Sequence, residues 1–329
     1  MPSSSGAHRT SPGSHAGRDR PRRPSRPVSA AAGDLAGPAR GAGAWRAYLA
    51  ATRPRTLPAA VVPVAVGAAV AHAEGQLLYG RAVLALVVAL SMQVGVNFAN
   101  DYSDGVRGTD AARVGPTRLV ASGLASPAAV RAAAAGVFAL GAAAGLWLAL
   151  LVTPWLIAVG AACIAAGWLY TGGPRPYGYA GLGEAFVFVF FGLVATVGTA
   201  YVSGGHVSAL AVLAAVPVGL LAVALLVVNN LRDIEGDAAS GKRTLAVRLG
   251  ERGTRVLYSA CVLGAFAFAG AVASRRLGAL VALAAVALAP SPLGLVWSGA
   301  QGRDLLRGLA LTGRLQLVLG LLLALGVAW

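Results

Sequence analysis

The sequence predicts an all-α polytopic membrane protein of about nine transmembrane helices, on three observations. Of its 329 residues, 57% are apolar and only 12% charged, and mean hydropathy is +0.70. Soluble domains average about 45–50% apolar and about 25% charged residues. Nine apolar segments are long enough, or nearly so, to cross a bilayer. The basic residues, finally, crowd onto alternate connections between those segments.

Each element follows from local composition. Residues 1–44 are rich in Ser, Pro, Gly and Arg and contain no apolar run. Such a stretch cannot bury enough surface to fold and is expected to be a disordered cytoplasmic tail, leaving 45–329 as the membrane domain. Arg22 and Arg23 are followed by no apolar core of a signal peptide. A span needs about 20 predominantly apolar residues. The segments that qualify are 57–76, 82–100, 128–150, 155–170, 182–203, 208–230, 254–273, 277–298 and 312–329, the fourth and ninth being short. The 44 glycines suit close helix contact in lipid. Trp147, Trp155, Trp168, Trp297 and Trp329 lie toward segment ends, where amphipathic rings anchor at the interface.

Charge sets the orientation. With the N-terminus inside, the inner regions hold ten Arg in 1–56, three in 101–127, Arg131, Arg175, six Arg/Lys in 231–255 and three in 299–314. Only Arg81, Arg275 and Arg276 fall outside, so the positive-inside rule selects this topology. The net charge of +15 is thereby explained without nucleic acid, which so apolar a chain does not suit. Cys163 and Cys261 lie in apolar runs and form neither a disulfide framework nor a zinc spacing.

Carboxylates are costly near a bilayer, so their placement is informative. Six of the twelve acidic residues form two clusters on the inner side: Asp101, Asp104 and Asp110, then Asp233, Glu235 and Asp237. The chain's four asparagines, Asn97, Asn100, Asn229 and Asn230, directly precede them at the ends of two apolar segments. Asn100, Asp104 and Gly108 align with Asn229, Asp233 and Asp237 at an offset of 129 residues. Spans 1–4 and 5–8 are therefore expected to be two related four-helix halves, with a ninth helix added. Spacing of i, i+4 and i+8 stacks side chains on one helix face, giving two rows of hard oxygen atoms. Mg²⁺ takes such ligands and shares them with substrate phosphates. Arg107, Arg113 and Arg118 flank the first row; Arg232, Arg243 and Lys242, the single lysine, flank the second. Carboxylates, cations and a hard metal at the mouth of an apolar bundle suggest a diphosphate site with a lipid tail beneath it.

The stretches NFANDYSDGVRGTD (97–110) and NNLRDIEGDAASGKRTLAVRLG (229–250) resemble the two aspartate-rich motifs of the UbiA superfamily of intramembrane prenyltransferases. Their details, together with RPRTLPAAVVPVAVG (53–67), RVGPTRLVASG (113–123) and LYTGGPRPYGYAGLGE (169–184), look like its 1,4-dihydroxy-2-naphthoate branch. The resemblance runs from residue 45 to the end. It implies a nine-helix bundle around a cavity open to lipid, with Mg²⁺ ions bridging a polyprenyl diphosphate. By position it assigns Asn100, Asp104, Asp233 and Asp237 to the metal, with Asp101 beside them. Gly108 departs from the superfamily pattern, and Asp110 is the substitute two residues on.

The reaction implied is electrophilic aromatic prenylation, in which Asp104, Asp233 and Lys242 are catalytic and Arg107, Arg118, Lys242 and Arg243 hold the diphosphate. Tyr102, Phe98 and Tyr170 are candidates to face an allylic cation. The acceptor, 1,4-dihydroxy-2-naphthoate, would lose its carboxylate as CO₂, with Arg53 or Arg175 holding that group. Asn97, Asn229, Asn230 and Glu184 complete the candidate contacts. Glu184 is equally well explained as a carboxylate at a helix N-terminus. The GTD form and the GKRTLAVRLG run favour the naphthoate acceptor over 4-hydroxybenzoate or homogentisate. A transporter built from repeats is the alternative of another class, and it would place the carboxylates near mid-membrane. The expected location is a bacterial cell membrane, with the active-site loops cytoplasmic.

Overall fold

The computed structural model describes residues 42–109 and 118–329. The tail lies outside the described residues except for 42–44, which already belong to helix α1 (Ala42–Ala51); Asp110 and Arg113 lie outside as well. After α1 come α2 (Pro58–Ala73), α3 (Tyr79–Arg107), α4 (Pro127–Leu151) and α5 (Leu156–Leu169). The next crossing joins α6 (Gly183–Val187), a π-helical turn (Phe188–Val194) and α7 (Ala195–Gly204). Then follow α8 (Ala209–Ala239), α9 (Leu245–Val272), a 3₁₀ stretch (Leu277–Leu288) leading into α10 (Pro290–Trp297), and α11 (Leu305–Ala328). No strand occurs among the described residues.

By length and composition, six of these helices cross a membrane alone. Two bent pairs raise the number to eight: α1 with α2 at 53°, and the 3₁₀ stretch with α10 at 41°. The 14-residue α5 is the ninth apolar helix among the described residues. At 1.5 Å per residue it reaches about 21 Å, short of the ~30 Å hydrocarbon core. Every apolar segment expected from sequence is thus helical, and the chain is a multi-pass membrane protein. Trp147, Trp155, Trp297 and Trp329 are exposed, as interfacial anchors are.

Local chemistry sets the boundaries. Ser126, Ser208 and Thr244 cap α4, α8 and α9, each side-chain oxygen accepting a first-turn backbone N–H. α3 and α8 run well past their apolar cores, so Asn100 and Asp104 of one motif and Asn229, Asp233 and Asp237 of the other sit on helix. α3 stops at Gly108, whose φ of 73° marks a left-handed cap, with Gly108 N–H and Thr109 N–H turned back to Gly105 O and Asp104 O. The departure from the motif's third aspartate falls at this left-handed cap, a position that glycine occupies most readily. Asp237, the aligned residue of α8, remains helical.

The two-half expectation reappears in packing. α3 pairs with α4 as α8 pairs with α9, and α2 meets α7, the equivalent helix of the other half. The α2–α7 crossing is close: a Cβ added to Gly67 would fall 2.3 Å from Thr196 O. α11 closes the bundle against α2, α8 and the 3₁₀ stretch. The ends of α3 and α8, the 170–182 connection and the start of α9 meet at one end of the bundle. At the opposite end, Arg81 donates to Leu151 O and Val202 O, and Arg276 to Ala73 O. These carbonyls lie at the C-termini of α4, α7 and α2, where a cation complements the helix dipole.

Candidate active site

A cavity of about 320 Å³ runs down the inside of the bundle. Asn100, Asp104, Arg118, Asp237 and Lys242 line its polar end, and Ala85, Leu148, Leu156 and Val202 its far end. Asp104 and Ala85 lie nineteen residues apart on one helix, so the cavity spans about 28 Å of bundle depth. The walls between are mainly aliphatic and aromatic.

At the polar end α3 and α8 bring their motifs to a shared cation. Lys242 Nζ lies 3.1 Å from Asp104 Oδ1 and 3.9 Å from Asp237 Oδ1. Asp104 is 2% exposed and also faces Arg118 Nη2 at 3.8 Å. Tyr179 donates its hydroxyl to Asp104 Oδ1 at 2.6 Å, and Lys242 sits 4.7 Å above the Tyr179 ring. Burial, then the negative charge of Asp104, push the Tyr179 hydroxyl well above its ordinary pKa, so it remains a donor. The Arg243 N–H to Tyr179 O bond ties the two loops together.

The other expected residues divide clearly. Asn100 lines the cavity, its Oδ1 accepting from Thr171 at 2.7 Å. Asn97 lines it too, donating to Thr52 O, while Asn229, Asn230, Tyr170 and Arg53 complete the wall. Among the described residues Arg53 is the non-glycine residue with positive φ, 55°, at the α1–α2 break, and Asn97 and Thr56 pin the backbone on either side. Asp233 is buried and held by its neighbour Arg232 at 2.6 and 2.7 Å, outside the cavity lining. Arg107 turns to Thr171 O and Gly173 O and lies over Tyr179, 5.6 Å from the ring. Arg243 and Arg175 are exposed and off the lining.

Several contacts differ from those the sequence suggested. Tyr102 stacks on Trp168 and Phe98 packs against Tyr48, so both belong to the core between α1, α3, α4 and α5 and not to the cavity. In their place a ladder of rings lines the wall: Tyr170 against Tyr177, Tyr177 stacked on Phe186 at 4.0 Å, then Phe190. Glu184 is off the lining and accepts from Asn230 Nδ2 at 2.9 Å. Both oxygens of Asp101 accept loop amides, and it too is off the lining. Sequence reasoning misses Tyr177, Tyr179, Thr171 and Phe186, three of which lie in the Gly- and Pro-rich 169–184 stretch.

Among the described residues no three His, Cys, Asp or Glu side chains form a ready-made metal cage. Mg²⁺ asks for less, being bound through one or two carboxylates plus substrate phosphates and water. Asp104 and Asp237 already converge on one ammonium, with the Asn100 amide beside them, and this hard-oxygen set fits the ion.

The fold and site define a helical membrane protein with paired acidic motifs and cations at the mouth of an apolar cavity. The UbiA prenyltransferase family matches residues 60–327, and the chain belongs to that family. It is 51% identical over 279 residues to 1,4-dihydroxy-2-naphthoate octaprenyltransferase of Mycobacterium tuberculosis, covering 84% of this chain and 95% of the relative. The Escherichia coli protein of the same name is 40% identical over 225 residues, 66% of this chain and 73% of that one. A solved UbiA homolog from Archaeoglobus fulgidus, bound to GPP and Mg²⁺, shares the fold at TM-score 0.61 and 15% identity, covering 84% of this chain and 99% of the other.

Proposed function

We propose that the protein transfers a polyprenyl group from polyprenyl diphosphate to 1,4-dihydroxy-2-naphthoate, with loss of CO₂, a step of menaquinone synthesis. The observation that carries this is the convergence of Asp104 and Asp237 on Lys242 at the mouth of a deep apolar cavity. The names of the relatives support the acceptor.

Asn100, Asp104 and Asp237 are the residues to hold Mg²⁺; Asp233, paired with Arg232, stands off the lining. When bound, the ion neutralises the diphosphate and favours its departure. Lys242 and Arg118 meet the same charge from the protein side, and they gain as negative charge grows on the leaving oxygen. The tail lies in the apolar cavity, whose walls keep water from the allylic cation. The faces of Tyr170, Tyr177, Phe186 and Phe190 stabilise that cation.

The ring carbon bearing the carboxylate attacks the cation, forming the C–C bond. The C–CO₂⁻ bond then breaks, its electron pair restores the aromatic ring, and CO₂ leaves. No ring C–H is broken, so the site needs no base for a ring proton. Glu184 accordingly serves to fix Asn230 at the wall. Arg53, at a positive-φ position in the cavity wall, is the candidate to engage the acceptor carboxylate. The excess of arginines on the motif side supports a cavity mouth facing the cytoplasm of a bacterial cell.

The test is incubation of membranes containing the protein with dihydroxynaphthoate, a long polyprenyl diphosphate and Mg²⁺. A prenylated naphthoquinone, absent with Asp104→Ala and Asp237→Ala, is expected. Product only with 4-hydroxybenzoate would reject the acceptor, and full activity in both variants would reject the site.

A further inference from the structure

Asp101 stands one residue after Asn100 on α3 and is 2% exposed, yet it does not line the cavity. Its two carboxylate oxygens accept consecutive backbone N–H groups, Leu119 at 2.8 Å and Val120 at 3.1 Å. One turn further along α3, Gly105 leaves bare backbone beneath Val120; a Cβ there would fall 2.5 Å from Val120 Cγ1. Leu119, 1% exposed, is sunk in the core formed with Phe98, Ala99, Val130 and Ala134. The segment also closes on itself through Ser122 N–H to Arg118 O, Gly123 N–H to Val120 O and Ala125 N–H to Leu119 O. Immediately before the two captured amides stands Arg118, which lines the cavity 3.8 Å from Asp104.

We infer that Asp101 is a positioning residue: with Gly105 it clamps the 118–125 turn onto α3 and so holds Arg118 over Asp104, where the diphosphate is bound. A carboxylate accepting two amides strengthens both bonds through its charge, so the turn is fixed in register and not merely packed. A metal ligand would turn an oxygen to the cavity, whereas Asp101 faces the turn. The role of Arg118 rests on the diphosphate reading given above; the clamp itself does not.

Two measurements test it separately. The first, hydrogen exchange on solubilised protein, needs no substrate. In Asp101→Asn, amides of the 118–125 turn are expected to exchange about tenfold faster or more, with α8 peptides unchanged, since bonds to a charged acceptor are lost. Gly105→Ala, which displaces Val120 without touching the carboxylate, should loosen the same peptide and serves if Asp101→Asn does not accumulate. The second is kinetic. Asp101→Asn should raise KM for polyprenyl diphosphate about tenfold, as Arg118→Ala does, and the double variant should be no worse than the poorer single. The Mg²⁺ concentration giving half-maximal rate should stay within about twofold of the unmutated protein. Unchanged turn exchange, additive KM effects, or a large Mg²⁺ shift with an intact turn would each overturn the inference. An unmutated protein without prenyl transfer would instead reject the functional reading, leaving the exchange result to judge the clamp.

Discussion

Lys242 Nζ lies 3.1 Å from Asp104 Oδ1, a contact between residues 138 apart in the chain and both almost fully buried. It joins the two halves of the bundle at the point where the proposed chemistry occurs. Replacing Lys242 by Gln removes the cation that Asp104 and Asp237 share. Breaking a buried pair this way costs about 3–5 kcal/mol. The rate is expected to fall about 10²–10³-fold, as for loss of one donor to a developing anion. Lys242→Arg should recover only part of it, since a planar guanidinium does not replace an ammonium between two carboxylates. Initial rates and thermal inactivation of the two variants check this.

Tyr179→Phe removes the hydroxyl that donates to Asp104 at 2.6 Å. A hydrogen bond to a charged group contributes about 1.5–3 kcal/mol, so a drop of at least tenfold in kcat/KM is expected. The sign of the pH effect follows from burial. Because the phenol is raised above its ordinary value of about 10, it stays protonated as pH rises through 7 to 10, and its bond is lost only above that range. The alkaline limb of the rate profile should therefore be the same in Tyr179→Phe as in the unmutated protein. A limb below pH 10 present only in the latter would contradict it.

Chelation of divalent cations is expected to abolish prenyl transfer, and Mg²⁺ to restore it. Asp104→Asn should need much more Mg²⁺ for half-maximal rate, because one of the few carboxylates available to the ion is gone. A Mg²⁺ titration of both proteins decides the point, an identical curve being the adverse result.

Gly67→Ala addresses the fold alone. Its new methyl group would sit 2.3 Å from Thr196 O, a backbone atom that cannot rotate away. Helices α2 and α7 must separate, at a cost of about 1–3 kcal/mol. Melting of the solubilised protein should fall by several degrees while Gly270→Ala, where the added methyl meets nothing within 4 Å, should not shift it downward.

Much of this was legible in the sequence because membranes leave few choices. Apolar length locates the helices, and the repeat of Asn100 and Asp104 in Asn229 and Asp233 anticipates two equivalent halves. Helix direction and i, i+4 spacing also bring Asn100 and Asp104 to one wall. What spacing does not convey is which way a polar side chain turns when a closer partner competes for it. Asp101 and Glu184 are carboxylates in a costly setting; the resemblance puts the first beside the metal, and the sequence leaves the second between chemistry and a helix N-terminal charge, whereas backbone amides and Asn230 engage them. Tyr179 escaped notice for the opposite reason, since a tyrosine in a Pro- and Gly-rich connection carries no periodic signal. Its importance arises from Lys242, sixty-three residues away.

The far-side arginines carry a conflict between making the protein and keeping it. In the proposed orientation these arginines lie outside, and during insertion such a charge pulls against the topology that the other arginines favour. Once the chain is folded, Arg81 joins the ends of α4 and α7, and Arg276 secures the end of α2. Neutralising Arg81 would ease its passage through the translocation machinery and loosen the finished bundle by the same substitution. Biogenesis and durability thus place opposite demands on a single guanidinium.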